Sequence, residues 1–341
     1  MTLSRRTVLS RATLAAATAM VAPAILARRG EAAAEFAYKC GTALPDGHPM
    51  CIRGREAMQK IKEESGGRLD ITLYTNSVLG QDTAMISQAI AGALEAYFLP
   101  IDLLAPKNPA CGVFGVGFAF PNYDQIWPSM DGDLGTYLRS IAEQIGFHAI
   151  DKCCDHGFRQ ITTKSKPIES PADLKGFKIR LPVAPYLIAL FQSLGASPTP
   201  INFGEVYSAL QTGLVDGQEN PLILIDTAKL YEVQKYCSVT NHVWAGIHYG
   251  FSNIAWKRLP NDLQDLATKH FTDAATVERD DCQKMTRTET ENLTSKGMIF
   301  NTPDTKPFRD MLKQNGFYPE MKKKSGDKAW ALLEKYVGPL T

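Results

Sequence analysis

From Phe36 onward the 341-residue chain alternates strand-patterned with helix-patterned segments, and it does so in two successive runs. In the first run, Leu69–Tyr74 reads Leu, Asp, Ile, Thr, Leu, Tyr, a period of two that sends alternate side chains to opposite faces of a strand. Before it, Ile52–Ser65 reads as an amphipathic helix stopped at Gly66-Gly67. After it come a helical Asp82–Ala91 and an apolar Ala93–Leu99 suited to a buried strand. The short, partly apolar Phe36–Cys40 completes a β-α-β-α rhythm. The second run begins near Gly157 with a strand over Phe158–Thr163. Ser170-Pro171-Ala172-Asp173 then opens a short helix, with a cap and a proline at its first position, that Gly176 ends. Phe177–Leu181 alternates as a strand up to Pro182. Asn202-Phe203-Gly204-Glu205 has capping-box spacing ahead of a helix that runs to Gly213. This rhythm predicts an α/β fold with a largely parallel sheet, arranged as two lobes of similar size with a crossover near residue 156.

The first 34 residues carry a different signal. Ser4-Arg5-Arg6-Thr7-Val8-Leu9 is a twin-arginine pattern, an uncharged stretch of 16 residues follows from Ala12 to Ala27, and Ala32-Ala33-Ala34 supplies small residues for a peptidase. Together these predict a cleaved export signal ending near Ala34 and a periplasmic destination. The apolar stretch contains Pro23 and is shorter than the roughly 20 residues a membrane span requires. Without residues 1–34 the chain keeps 32 basic and 35 acidic side chains, a formal charge of −3. That balance shows no basic excess of the kind a nucleic-acid surface needs. About 307 residues then remain, more than one ordinary core holds.

Enzyme signatures are missing from the sequence. It holds no His-Glu-x-x-His, no Gly-x-Ser-x-Gly and no phosphate loop ending in Gly-Lys-Ser/Thr, and Gly115-Val116-Gly117 fails as a dinucleotide fingerprint because Phe120 stands at the third glycine position. The six histidines have no tight ligand spacing, so neither a metal nor a cofactor is expected and no residue is assigned a catalytic role. The seven cysteines read as small buried hydrophobes, with Cys40–Cys51 the one pairing that spacing brings to mind.

Two arginines and an asparagine stand out instead. Arg180 lies in the alternating strand near its carboxyl end, on the face opposite Phe177, Ile179 and Leu181, and ligands of open α/β sheets bind at such ends. Arg159 shares a strand face with Ile161. An arginine among apolar strand neighbours needs an anionic partner, and its guanidinium fork matches a carboxylate in two parallel hydrogen bonds. Leu214–Pro221 combines a turn-prone Asp216-Gly217 with a polar cluster in which the Asn220 amide can donate to a carboxylate oxygen.

The segments Lys178–Pro182, Leu194–Pro200, Phe203–Gly213, Val215–Pro221 and Tyr231–Tyr236 resemble the solute-binding proteins of tripartite ATP-independent periplasmic (TRAP) transporters, the DctP family. Leu79-Gly80 and Gly157–Gln160 fit as well, so the likeness covers nearly all of residues 36–320. The resemblance implies a two-lobed periplasmic binding protein of type II-like α/β architecture, with crossover strands and a long interdomain helix. Its lobes are expected over 35–156 plus 246–285 and over 157–245 plus 286–341, with the ligand in the cleft between them. It implies that Arg180 binds a ligand carboxylate, that Arg159 and Asn220 support it, that the Phe203 ring lines the pocket, and that a membrane permease takes the ligand. By the same resemblance Tyr97 and Val183, with Ala96 and Pro100, fall near the ligand's body, and Trp244 is expected to join them. These side chains are apolar or aromatic, which leads to the expectation of a small carboxylate with an apolar or aromatic body, or a 2-oxo or 2-hydroxy acid, rather than a polyhydroxy sugar acid. The core is the competing place for Tyr97 and Trp244. A receptor feeding a chemosensor and an exported periplasmic enzyme are the competing functions, and a monomer is expected because a closing receptor needs free lobes.

Overall fold

The element that organises the molecule is a strand of 17 residues, β4 (Phe147–Thr163). The structure, a computed structural model, describes residues 34–340, so all but the last residue of the expected export signal lies outside the described residues. The elements ahead of β4 are β1 (Phe36–Gly41), α1 (Pro49–Glu64), β2 (Leu69–Tyr74), α2 (Asp82–Ile90), β3 (Ala96–Leu99), α3 (Tyr123–Met130) and α4 (Asp133–Ile145). After it come β5 (Lys178–Leu181), α5 (Pro185–Ser193), β6 (Ser197–Pro200), α6 (Val206–Gln211), β7 (Gly217–Pro221), α7 (Leu222–Thr227), β8 (Tyr236–Ser238), β9 (Trp244–Ser252) and α8 (Asn253–Trp256). The chain closes with α9 (Asn261–Ser295), β10 (Ile299–Asn301), α10 (Lys306–Gln314), α11 (Phe317–Ser325) and α12 (Asp327–Val337).

β4 changes partners along its length. From Phe147 to Phe158 it runs antiparallel to β9, which in turn pairs β3, so this half closes a sheet ordered β2-β1-β3-β9-β4. From Arg159 to Thr163 the same strand pairs antiparallel with β7, and from Ile161 it also pairs β8, joining the sheet that holds β5, β6 and β10. The sheets are therefore mixed rather than largely parallel. Strands fed by helical crossovers (β1 with β2 and β3, β5 with β6 and β7) are parallel, whereas the crossover strands β4 and β9 arrive from the other lobe and run antiparallel to their neighbours. The fold is two-lobed, and α9 braces it. At 35 residues this helix extends about 50 Å at 1.5 Å per residue.

Local chemistry explains most element ends. Gly146, with φ +126°, ends α4, whose Leu134, Leu138, Ile141 and Ala142 recur at helical spacing on one buried face. The Ser170 backbone N–H donates to Asp173 Oδ2 at 3.1 Å, the capping box of a 3-10 turn over Pro171–Leu174. Asn202 departs from the expectation. Its side chain caps nothing, and the chain passes through a 3-10 turn at Phe203–Glu205 before α6 begins. All seven cysteines are buried free thiols, Cys40 and Cys51 included.

Candidate functional site

Strand register assembles the polar residues. β7 lies between β4 and β5, with Gln160 opposite Asn220, Thr162 opposite Gln218, and Gln218 opposite Arg180. Directly paired residues share a face, which sets Arg180 beside Gln218 in the sheet, and the ends of β4 and β7 bring Arg159, Glu219 and Asn220 into contact. Gly157 prepares the turn of β4 toward its new partners. Its φ of +107° is open to glycine, and an added Cβ would sit 3.3 Å from Pro221.

The two arginines hold different contracts. Arg159 has an internal counter-ion in Glu219, which is fully buried. Its Nε donates to Glu219 Oε2, while Nη2 donates to Glu219 Oε1 at 2.8 Å, to the Glu219 carbonyl at 2.9 Å and to Asn220 Oδ1 at 2.8 Å. His242 Nε2 lies 3.0 Å from Glu219 Oε2, and its Nδ1 lies 2.8 Å from Thr240 Oγ1. Burial pushes the Glu219 carboxyl up, but the Arg159 guanidinium outweighs it and holds the group at about 2. Burial lowers His242, with Glu219 opposing.

Arg180 is 1% exposed and, among the described residues, has no carboxylate within ion-pair distance. Its Nε and Nη2 both donate to the Ile201 carbonyl, at 2.8 and 2.6 Å. These two bonds fix the plane of the guanidinium. Burial pulls it down to about 9, so it remains a cation at neutral pH. A buried, oriented and unpaired cation is an expensive arrangement that an incoming anion relieves.

Arg180, Arg159, Asn220 and Phe203 line one cavity that opens to solvent. Residues of the β1, β3 and α2 region (Thr42, Ala43, Asp82, Phe98, Asp102) face those of β5 and β7 across it. The Arg180 guanidinium carbon stands 5.8 Å from the centre of the Phe203 ring. Thus four of the seven residues singled out in the sequence meet in one place. The other three do not line this cavity. Val183 borders a smaller neighbouring pocket that shares Arg180, Pro182 and Asp82. Tyr97 is 1% exposed in the core, and its hydroxyl donates to Asp82 Oδ1 at 2.6 Å. Trp244 is 1% exposed, donates Nε1–H to Asp155 Oδ1 at 2.9 Å and packs edge-on against Phe114 and Trp127.

The cavity also carries Asp82, Asp102 and His156, which the sequence reading did not select. Burial raises Asp82, with the Tyr97 hydrogen bond opposing, and raises Asp102 to about 6, with Arg159 opposing. Burial lowers His156 well below its ordinary value. Each is a single polar residue in an unremarkable setting. The one available signal was an aspartate set alone among Pro100, Ile101, Leu103 and Leu104. No group of three or more potential metal-ligating side chains occurs among the described residues.

Two lobes that share crossover strands, with a cavity walled from both sides and floored by an unpaired arginine, define a solute-binding protein of the periplasmic type. Residues 40–323 match the model of bacterial extracellular solute-binding protein family 7, DctP, and the chain belongs to this family, the substrate-binding proteins of TRAP transporters. These are binding proteins rather than enzymes. The chain is 36% identical over 252 residues to the uncharacterized protein y4mM of Sinorhizobium fredii, a match covering 74% of this chain and 46% of that protein, so the chain spans about half of that relative's length. It is 30% identical over 253 residues to the sialic acid-binding periplasmic protein SiaP of Vibrio cholerae, covering 74% of this chain and 78% of SiaP. Among solved structures it resembles the sugar acid binding protein DctPAm of Advenella mimigardefordensis in complex with galactonate, with a TM-score of 0.85, 26% identity, and coverage of 91% and 100% of the two chains. Among the described residues no helix is long and apolar enough to cross a membrane.

Proposed function

We propose that this protein captures a small organic carboxylate in the cavity at Arg180, closes its lobes over it and delivers it to the membrane permease of a TRAP transporter. The observation that carries the reading is the Arg180 guanidinium, buried, held flat by the Ile201 carbonyl and unpaired among the described residues. Its geometry suits two parallel hydrogen bonds to a carboxylate. Arg159 is already engaged by Glu219, so its share in the site is to fix Asn220 through the bond from Nη2 to Oδ1 and to add positive potential. Relatives named for sialic acid and galactonate, both sugar acids, support an acidic ligand. The wall formed by Leu44, Phe98, Leu103, Phe203, Leu224 and Ile247 supports a ligand with an apolar or aromatic body, or a 2-oxo or 2-hydroxy acid.

In this reading residues 1–34 are a removable export signal. The lobes comprise 35–156 plus 246–285 and 157–245 plus 286–341, boundaries near the change of partners along β4. Closure needs no chemistry on the ligand: the closed state gains contacts that the open state lacks, and that difference shifts the population. The test is a thermal-shift screen against small carboxylates, with amines and neutral sugars as controls. A ligand at a thousand times its Kd stabilises by about 4 kcal/mol. Arg180→Ala is expected to weaken binding by about 2–5 kcal/mol, roughly 30-fold to several thousand-fold. Arg180→Lys is expected to bind poorly as well, because a point charge cannot make the fork. Tight carboxylate binding by both variants, or stabilisation only by neutral or cationic compounds, removes Arg180 from the role.

A further inference from the structure

The cavity has a rim where the two proposed lobes touch. Gly204 follows Phe203, whose ring stands beside Arg180, and faces the segment that leads into α2. A Cβ added at Gly204 would lie 2.9 Å from Gln81 Oε1, 3.0 Å from Gln81 Nε2 and 3.2 Å from Ser77 Oγ. The Gly204 backbone is not in the left-handed region, so conformation does not call for glycine here. The narrow space between the two segments does.

The opposing rim is held in place. Asn76 and Ser77 both have positive φ, +53° and +58°, a conformation uncommon for residues other than glycine. The Asn76 N–H donates to the Leu44 carbonyl at 3.0 Å, and the Ser77 N–H donates to the Thr42 carbonyl at 3.1 Å. Thr42 and Leu44 line the cavity, so this rim is tied to its wall. The contact with Gly204 is one of fit without bonds. Ser77 Oγ and Gln81 Oε1 are buried and, among the described residues, have no hydrogen-bond partner. Polar groups buried in a permanent contact are paired as a rule, whereas these gain water when the surfaces part. We infer that Gly204 against Ser77 and Gln81 is the parting line of the cavity: the lobes separate there to admit a ligand, and the missing side chain lets them close again. This rests on the lobe closure proposed above, but not on which compound binds.

A double variant, Ser77→Cys with Gly204→Cys, tests the inference. A disulfide holds each Cβ roughly 3 Å from the partner's sulfur. The Cβ position at Gly204 lies at nearly that distance from Ser77 Oγ. The native thiols are all buried, and the two single variants serve as controls. Opening is read by labelling with phenylglyoxal, an arginine reagent, followed by peptide mapping. Arg180 is 1% exposed, so a reagent far larger than water reaches it only when the lobes part. The exposed Arg309 is the internal reference. The cross-link is expected to form in the folded double variant on mild oxidation. It is expected to slow labelling of Arg180 by about 10-fold or more against the reduced form, with Arg309 unchanged, because the reagent sees only the open fraction. Gly204→Leu, which wedges the rim, is expected to speed labelling of Arg180 by about 3-fold or more. Three results overturn the parting line: no cross-link in the folded protein, an Arg180 rate that is the same oxidised and reduced, or a Gly204→Leu rate no higher than that of the wild type. No carboxylate enters this assay, so the ligand reading stands or falls separately in the thermal-shift screen.

Discussion

Replacing Glu278 by glutamine should make the protein more stable at pH 8 and change it little at pH 4.5. Glu278 lies on α9, fully buried, where Oε2 accepts the Asp155 backbone N–H at 2.8 Å and Oε1 accepts the Cys282 thiol at 3.1 Å. Burial, reinforced by the Asp155 carboxylate, raises its carboxyl from an ordinary 4.5 to about 8. The folded state therefore holds a proton that the unfolded chain gives up. Below about pH 4.5 both states are protonated and the group is neutral in its effect. Between about 4.5 and 8 the unfolded chain alone ionises, so stability falls by about 1.4 kcal/mol per pH step, and above 8 the loss levels off. The whole window corresponds to roughly 5 kcal/mol, an upper bound because the site relaxes when charged. Glutamine has the same shape, keeps an oxygen for the Asp155 N–H, and cannot ionise. Urea unfolding of the two proteins at pH 4.5, 6 and 8 measures the difference. A gain by the variant that grows by several kcal/mol across the window is expected. A difference that is constant with pH refutes the argument, because it means that Glu278 is ionised in the folded state throughout.

Other consequences follow from the same structure. Arg159→Ala should cost about 3–5 kcal/mol in urea unfolding, because it leaves the Glu219 carboxylate buried with His242 alone, and a paired Arg159→Met, Glu219→Leu replacement should cost less than the two single changes added. Glu219 is lowered from an ordinary 4.5 to about 2, so its stabilising contribution is complete above about pH 4.5 and is lost as pH falls toward 2. Tm measured at pH 5 and pH 3 should drop further for the wild type than for Glu219→Gln. Trp244→Phe should destabilise by about 1–3 kcal/mol by removing the donor to Asp155 Oδ1, visible as a lower Tm.

The parts of the fold that were legible in the sequence are those where local pattern and tertiary role agree. β2, α2 and the strand of Arg180 alternate or repeat cleanly, and β2 and α2 fall within a residue of their expected bounds. Of β4 the sequence exposed only its last six residues. Register shifts between Ala149 and Cys153 and between Asp155 and Gly157 break the period of two, and they hide a strand that continues for 11 residues upstream. Arg180 could be read because strand alternation isolates it. The counter-ion of Arg159 could not, because Glu219 reaches it through a register spanning 60 residues. Tyr97 and Trp244 show the limit of residue type as evidence. All four residues of β3 are buried, so no alternation marks which ring faces ligand and which faces core. Asp82, Asp102 and His156 are lone polar residues in the sequence, and only the folded cavity groups them.

The partners of β4 also dictate when the molecule can take shape during synthesis. Phe147 pairs with Ser252, more than a hundred residues downstream, and α9 begins later still. Neither lobe can close its sheet on a ribosome-bound chain until residues near 252 have emerged. Early translation therefore leaves open strand edges that seek any available partner. Contacts so distant in sequence make folding slow relative to a chain whose halves each close on their own neighbours. The same interleaving means that cutting the gene at the crossover would yield two fragments that each lack a strand, not two working halves.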